Sequence, residues 1–129
     1  YEVTAIKKSD EGLYTYESLD FKISTADAVT VVSFKGKIIS DADIQNLLTE
    51  LEDSKLAANR VFDFSELTHI NSSGINFIIK SLTKTRINSG DLVLCSVGGT
   101  VKTLFEMAKI DDIFSIYETV SDAINHFKN

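Results

Sequence analysis

The sequence predicts a single α/β domain: a mainly parallel sheet of four to five strands with about four helices. Three observations carry the prediction. After an opening hairpin, helix-like stripes alternate with strand-like runs to the end of the chain, the pattern that gives parallel strands joined by right-handed crossovers. The 129 residues make one ordinary domain. The composition, 43% hydrophobic and 25% charged, suits a globular protein that buries a core without disulfide staples.

Tyr1–Ser18 is polar and weakly patterned, and reads as an N-terminal arm or an extra strand; the domain proper runs from 19 to 129. "FKIST" and "AVTVVSF" are rich in β-branched and aromatic residues and read as two strands, with a hairpin link near Ala26–Asp27. Gly36 follows. Ser40, with Asp43 three residues on, resembles a capping box. Ile44, Leu47, Leu48 and Leu51 then make a helical stripe. "RVFDF" is a short buried strand. Ile75, Ile78, Ile79 and Leu82 form the next stripe, which stops at Ser89-Gly90. "DLVLCSV" is a strand, "GGT" a turn, and Val101, Leu104, Phe105 and Ala108 a third stripe. "IFSIY" is the last strand, and Ala123, Ile124 and Phe127 mark the final helix. There is no proline, so glycines, caps and changes of period set every boundary.

Net charge is −6 and the pI about 4.8. Phosphate contacts need clustered Lys and Arg, so a nucleic-acid partner is not expected. Lys80, Lys84 and Arg86 are spaced as the wet face of a helix. The lone Cys95 fits a reducing compartment. No apolar run approaches the roughly 18 residues of a membrane span, and no charged-then-apolar signal segment opens the sequence. The first residue is Tyr1 rather than Met, so an upstream piece is expected to have been removed. A cytoplasmic location without membrane attachment is expected.

Several chemistries can be weighed from the residues. The serines of "HINSSGINFIIK" lie between a strand-like and a helix-like run. A nucleophile elbow would need G-x-S-x-G, but the leading glycine is missing, and His69 and His126 are the only candidate bases. "VGGTVKT" has Ser96 and Val101 where a P-loop needs glycines, so it reads as a turn with Thr100 capping the next helix. Two distant histidines and one cysteine give no metal-ligand spacing; no metal or cofactor is expected. His69 reads as a loop hydrogen-bonding residue, His126 as solvent-facing, Cys95 as a small core residue and Asp111-Asp112 as turn residues. At the serines, Asn71 or Ser72 caps the helix. One capping residue would suffice there, and three polar residues plus Gly74 point beyond a cap.

The stretch "DFSELTHINSSGINFIIKSL" resembles the signature of STAS domains, specifically of bacterial anti-sigma factor antagonists. Asp63, Ser65, Leu67, Ser72, Ser73 and Gly74 stand at the matching positions. "GDLVLCSVGGTVKTLFEMAKIDDIFSIYETVSDAI" resembles the family's later strands and helices, and "VTVVSFKGKI" its strand ending in glycine. The resemblance runs from roughly Leu19 to Phe127 and implies a STAS-like fold.

It also implies a function. Such proteins are not enzymes. They bind an anti-sigma factor, itself often a serine kinase, and phosphorylation of a serine at a helix start ends the complex until a phosphatase resets it. The acceptor maps to Ser72, with Ser73 as second choice; Asn71, Ser73, Gly74, Ser40 and Asp41 map to the motif and partner-binding positions. The chain departs from the pattern at two places. Asn71 replaces the usual Asp, and "GKIISD" is one residue longer than the family's run before the first helix. A monomer or weak dimer is expected. The alternative within the family is a STAS scaffold that is never phosphorylated, in a lipid-transport assembly or regulating a membrane transporter. The alternative outside it is a hydrolase using Ser72 or Ser73.

Overall fold

The computed structural model describes residues 7–8, 13–15, 19–52 and 58–128. Its strands are β1 (Lys7–Lys8), β2 (Leu13–Thr15), β3 (Leu19–Ala26), β4 (Val29–Ile38), β5 (Arg60–Ile70), β6 (Leu92–Cys95) and β7 (Ile116–Tyr117). Its helices are α1 (Asp41–Leu51), α2 (Ser72–Ile87), α3 (Gly99–Met107) and α4 (Val120–Asn125), with a 3₁₀ turn at Ile110–Asp112. All strands form one sheet in chain order. Strands β3 to β7 are the mainly parallel sheet that the alternation predicts: β3 pairs antiparallel with β4, and every later pairing is parallel. β1 and β2 extend it antiparallel beyond β3.

Side-chain alternation divides the core by face. Val32 and Phe34 of β4, Phe62 and Phe64 of β5, and Leu92 and Leu94 of β6 point to one side. There they meet Ile44, Leu47 and Leu51 of α1, Phe77, Ile78 and Leu82 of α2, and Val101 and Phe105 of α3. Crossovers of one hand, between strands laid down in one direction, must put their helices on one face. Val31, Val61, Val93 and Cys95 point to the other side, which α4 covers with Ala123 and Ile124. Both faces of the central strands are therefore buried, which explains their continuous apolar runs. Phenylalanines brace the helix face: Phe62 stacks on Phe77 at 5.9 Å, and Phe64 meets Phe105 edge-on at 5.9 Å.

Several elements differ from the sequence expectation. β5 does not end at Phe64 but runs to Ile70. Between paired positions β5 twice advances one residue more than β4, so it carries two bulges. Each extra residue resets the alternation; beyond Phe64 the buried positions are Leu67 and Ile70, a spacing that does not read as a strand. Gly36 lies inside β4 with φ +103, at the second bulge, and its carbonyl accepts from Thr68 Oγ1 at 2.9 Å. The "IFSIY" strand shrinks to Ile116–Tyr117, because Ile110 and Phe114 are buried by the 3₁₀ turn. Thr100 does not cap α3. Gly98 is the N-cap, with no side-chain bond, and Thr100 is exposed within the helix.

The α2 stripe is rotated from the one expected. Phe77, Ile78 and Leu82 are buried with Ser81 and Thr85, while Ile75 and Ile79 are half-buried. Ser81 Oγ donates to the Phe77 carbonyl at 2.8 Å, and Thr85 Oγ1 to that of Ser81 at 2.6 Å. These bonds satisfy the hydroxyls within the helix and let them face the core. α2 stops as expected, in a Schellman arrangement with Ser89 at φ +68: Gly90 N–H reaches the Thr85 carbonyl at 2.9 Å, and Ser89 N–H that of Arg86 at 3.1 Å. His126 is half-buried rather than solvent-facing, with Nδ1 2.7 Å from Tyr117 Oη and Nε2 3.5 Å from Asp91 Oδ2.

The β3–β4 hairpin turns through Asp27 and Ala28, both left-handed at φ 52 and 63. Such a two-residue turn suits the sheet's twist but is strained for a residue with a Cβ. Ala28→Gly is therefore expected to raise stability by about 0.5–1 kcal/mol, seen as a higher urea midpoint at unchanged slope.

Candidate functional site

The serine junction is built where the carboxyl ends of β4 and β5 meet the start of α2. Ile70 ends β5, Asn71 is the N-cap, and Ser72 and Ser73 are the first two residues of the helix. Asn71 has extended backbone (φ −111, ψ −175), and its Oδ1 accepts the Gly74 N–H at 3.0 Å. This resolves the cap in favour of Asn71 and leaves the Ser72 hydroxyl outside that role. Asn71 also reaches the end of β4 and the residue after it: its backbone N–H donates to the Ile38 carbonyl at 3.3 Å, and its Nδ2 to that of Ile39 at 2.9 Å.

Ser72 is exposed, whereas Ser73 is half-buried. Ser73 lines a groove of about 300 Å³ between α1 and α2, with Asp41, Ile44, Leu48, Phe77 and Lys80. Asp41 is exposed in the first turn of α1, and Ser40 caps that helix, its Oγ accepting the Asp43 N–H at 3.4 Å. The structure thus joins Asp41 and Ser73 in one groove, while Ser40 is a cap. Two parts of this groove are not legible as such in the sequence, the apolar floor of Ile44, Leu48 and Phe77 and the Lys80 rim; Ile39, whose carbonyl Asn71 reaches, is exposed outside it. Adjacent amphipathic stripes hint at such a groove, but only packing shows which residues line it.

Gly74 is buried in regular helix, so no left-handed backbone requires it. Space does. A Cβ there would lie 2.5 Å from Ile70 Cγ1 and 2.7 Å from the Ile38 carbonyl oxygen. No acidic residue occupies the first turn of α2, and a helix start favours an anion through its dipole and open N–H groups.

The other candidate chemistries do not converge on the serines. His69 lies on β5 rather than in a loop, exposed, with Nδ1 3.0 Å from Thr68 Oγ1. His126 is engaged by Tyr117 and Asp91. Among the described residues no group of three His, Cys, Asp or Glu could hold a metal ion. Cys95 is fully buried, and its thiol is pushed up to about 12, first by burial and then by nearby Asp63, against a lowering hydrogen bond from Ser96.

The STAS domain model matches residues 20–123, which takes in the whole junction and nearly every element around it. The chain belongs to the STAS domain family. Among solved structures it resembles an anti-sigma factor antagonist from Mycobacterium paratuberculosis, at 23% identity and a TM-score of 0.74, covering 87% of this chain and 96% of that one. It resembles the Bacillus cell fate determinant SpoIIAA in its phosphorylated form, at 16% identity and a TM-score of 0.62, covering 82% and 97%. It also resembles part of the murine solute carrier 26 member A9 anion transporter, at 12% identity and a TM-score of 0.64, covering 80% of this chain and 18% of that one. At such identities these likenesses show a shared STAS fold, which occurs in free-standing regulators and within transporters. Among the described residues no helix is long and apolar enough to cross a membrane.

Gly74→Ala is expected to lower stability by about 1–3 kcal/mol, because a backbone carbonyl must move to admit the methyl; chemical denaturation measures it. For Cys95, a thiol reagent at pH 8 is expected to leave the native protein unlabelled and to label it fully in denaturant.

Proposed function

We propose that this chain is an anti-sigma factor antagonist: a non-enzymatic partner switch, with Ser72 as its phosphoacceptor and Ser73 as second choice. Its partner is an anti-sigma factor that is also a serine kinase, and a phosphatase restores the free form. The switch operates in the cytoplasm as a monomer or weak dimer, and contacts neither nucleic acid nor membrane. One observation carries the reading. Ser72 is an exposed hydroxyl at the first position of α2, in the fold of a Bacillus protein known in a phosphorylated form.

The physics favours a switch without movement. Phosphorylation adds about −1.5 to −2 charges at neutral pH. The start of α2 tolerates that charge in the free protein. A partner surface built for a hydroxyl does not, because burying the phosphate without a cation opposite costs several kcal/mol. A penalty near 4 kcal/mol weakens binding on the order of a thousandfold. The second reading, a scaffold that is never phosphorylated, draws on the likeness to the transporter's domain and on the neutral Asn71.

Calorimetric titration against a candidate anti-sigma serine kinase, with mass spectrometry of the product, separates the two. Ser72→Ala is expected to bind like the parent and take up no phosphate. Ser72→Asp, with about one charge and no phosphate oxygens, is expected to bind roughly tenfold more weakly, a smaller effect than phosphorylation itself. If Ser72→Asp binds as tightly as the parent, or the phosphate maps away from Ser72 and Ser73, the scaffold reading replaces the switch.

A further inference from the structure

The two places where this chain departs from the antagonist pattern meet at one hydrogen bond. Ile39 lies in the longer run after β4; it is a large apolar residue left 40% exposed, between buried Ile38 and the helix-capping Ser40. Its carbonyl accepts from Asn71 Nδ2 at 2.9 Å. The other end of the same amide accepts the Gly74 N–H at 3.0 Å. That second bond fixes the orientation of the amide: its oxygen must face the N–H, so its NH₂ must face the Ile39 carbonyl. A carboxylate at position 71 would accept the Gly74 N–H equally well, but it has no donor for the carbonyl and would set oxygen against oxygen. A serine would cap the helix without reaching the Ile39 carbonyl.

We propose that Asn71 is a positioning residue, a clamp that locks the turn between β4 and α1 onto the first turn of α2. It thereby holds Ile39 and Ser72 in one fixed surface, and the function requires an amide rather than any capping side chain. Where Ser72 serves as the phosphoacceptor, the inference deepens that reading: the partner meets a surface that is apolar at position 39 and uncharged at position 71. The clamp itself does not depend on that role.

The test is amide hydrogen exchange by NMR on the full chain, comparing the parent with Asn71→Asp and Asn71→Ser. Both variants keep a cap and lose only the bridge. The reporters are the backbone N–H of residue 71, bonded to the Ile38 carbonyl at 3.3 Å, and that of Ile44, bonded to the Ser40 carbonyl at 3.0 Å. Loss of one such bond is expected to speed exchange at both about fivefold more than at sheet amides such as Phe62. Parent-like exchange at residue 71 in Asn71→Asp would show that capping alone positions the turn, and would overturn the proposal. A rise of equal size at every amide would also overturn it, because the role would then be general stability. No partner enters the measurement, so the clamp and the phosphoacceptor assignment can fail separately.

Discussion

The close approach of α2 to the end of β4 governs the rest of this structure. The helix begins so near that strand that position 74 has no room for a single methyl beside Ile70 and the Ile38 carbonyl. Everything local follows from that distance. Asn71 can span from the first turn of α2 to β4 only because the two are pressed together. The bulges of β5 carry Ile70 to the place where it packs against Gly74. Ser72 is exposed, while the residue before it takes the cap and the glycine two residues on takes the contact.

The fold was legible where period and burial agree. α1 shows its stripe in Ile44, Leu47 and Leu51, and the central strands show themselves as apolar runs because both their faces are covered. Where a hydrogen bond outweighed hydropathy, the sequence misled. The second half of β5 is polar at Ser65, Glu66, Thr68 and His69, yet its backbone stays in the ladder with β4. Ser81 and Thr85 are buried because their own helix satisfies them, a bond that no hydropathy pattern records. At the site, the serines, the glycine and the two caps were readable as residue types. The groove, and the bond from Asn71 to Ile39, belong to segments far apart in the chain and exist only after packing.

The two faces of the sheet are unequally supported, and the candidate site lies on the stronger. Three helices and the phenylalanine cluster cover one face, whereas the short α4 covers the other with Ala123 and Ile124. The stack of Phe62 on Phe77 ties α2 to the middle of β5, within two turns of Ser72. A side chain held on such a framework keeps its place whatever happens to its charge.

Because the strands lie in the sheet in the order in which they occur in the chain, the domain has an assembly route as simple as its topology. The β3–β4 hairpin closes through a two-residue turn and is the cheapest pairing in loop entropy. Each later strand then joins an edge that already exists, after one crossover helix, so no strand must wait for a later segment to be inserted beside it. A chain emerging from the ribosome can build this sheet in the order of its synthesis. The growing edge is a template for mispairing at every stage, and the last strand in line is only the two residues of β7. That brevity leaves the finished domain little open edge on that side through which another chain could join it.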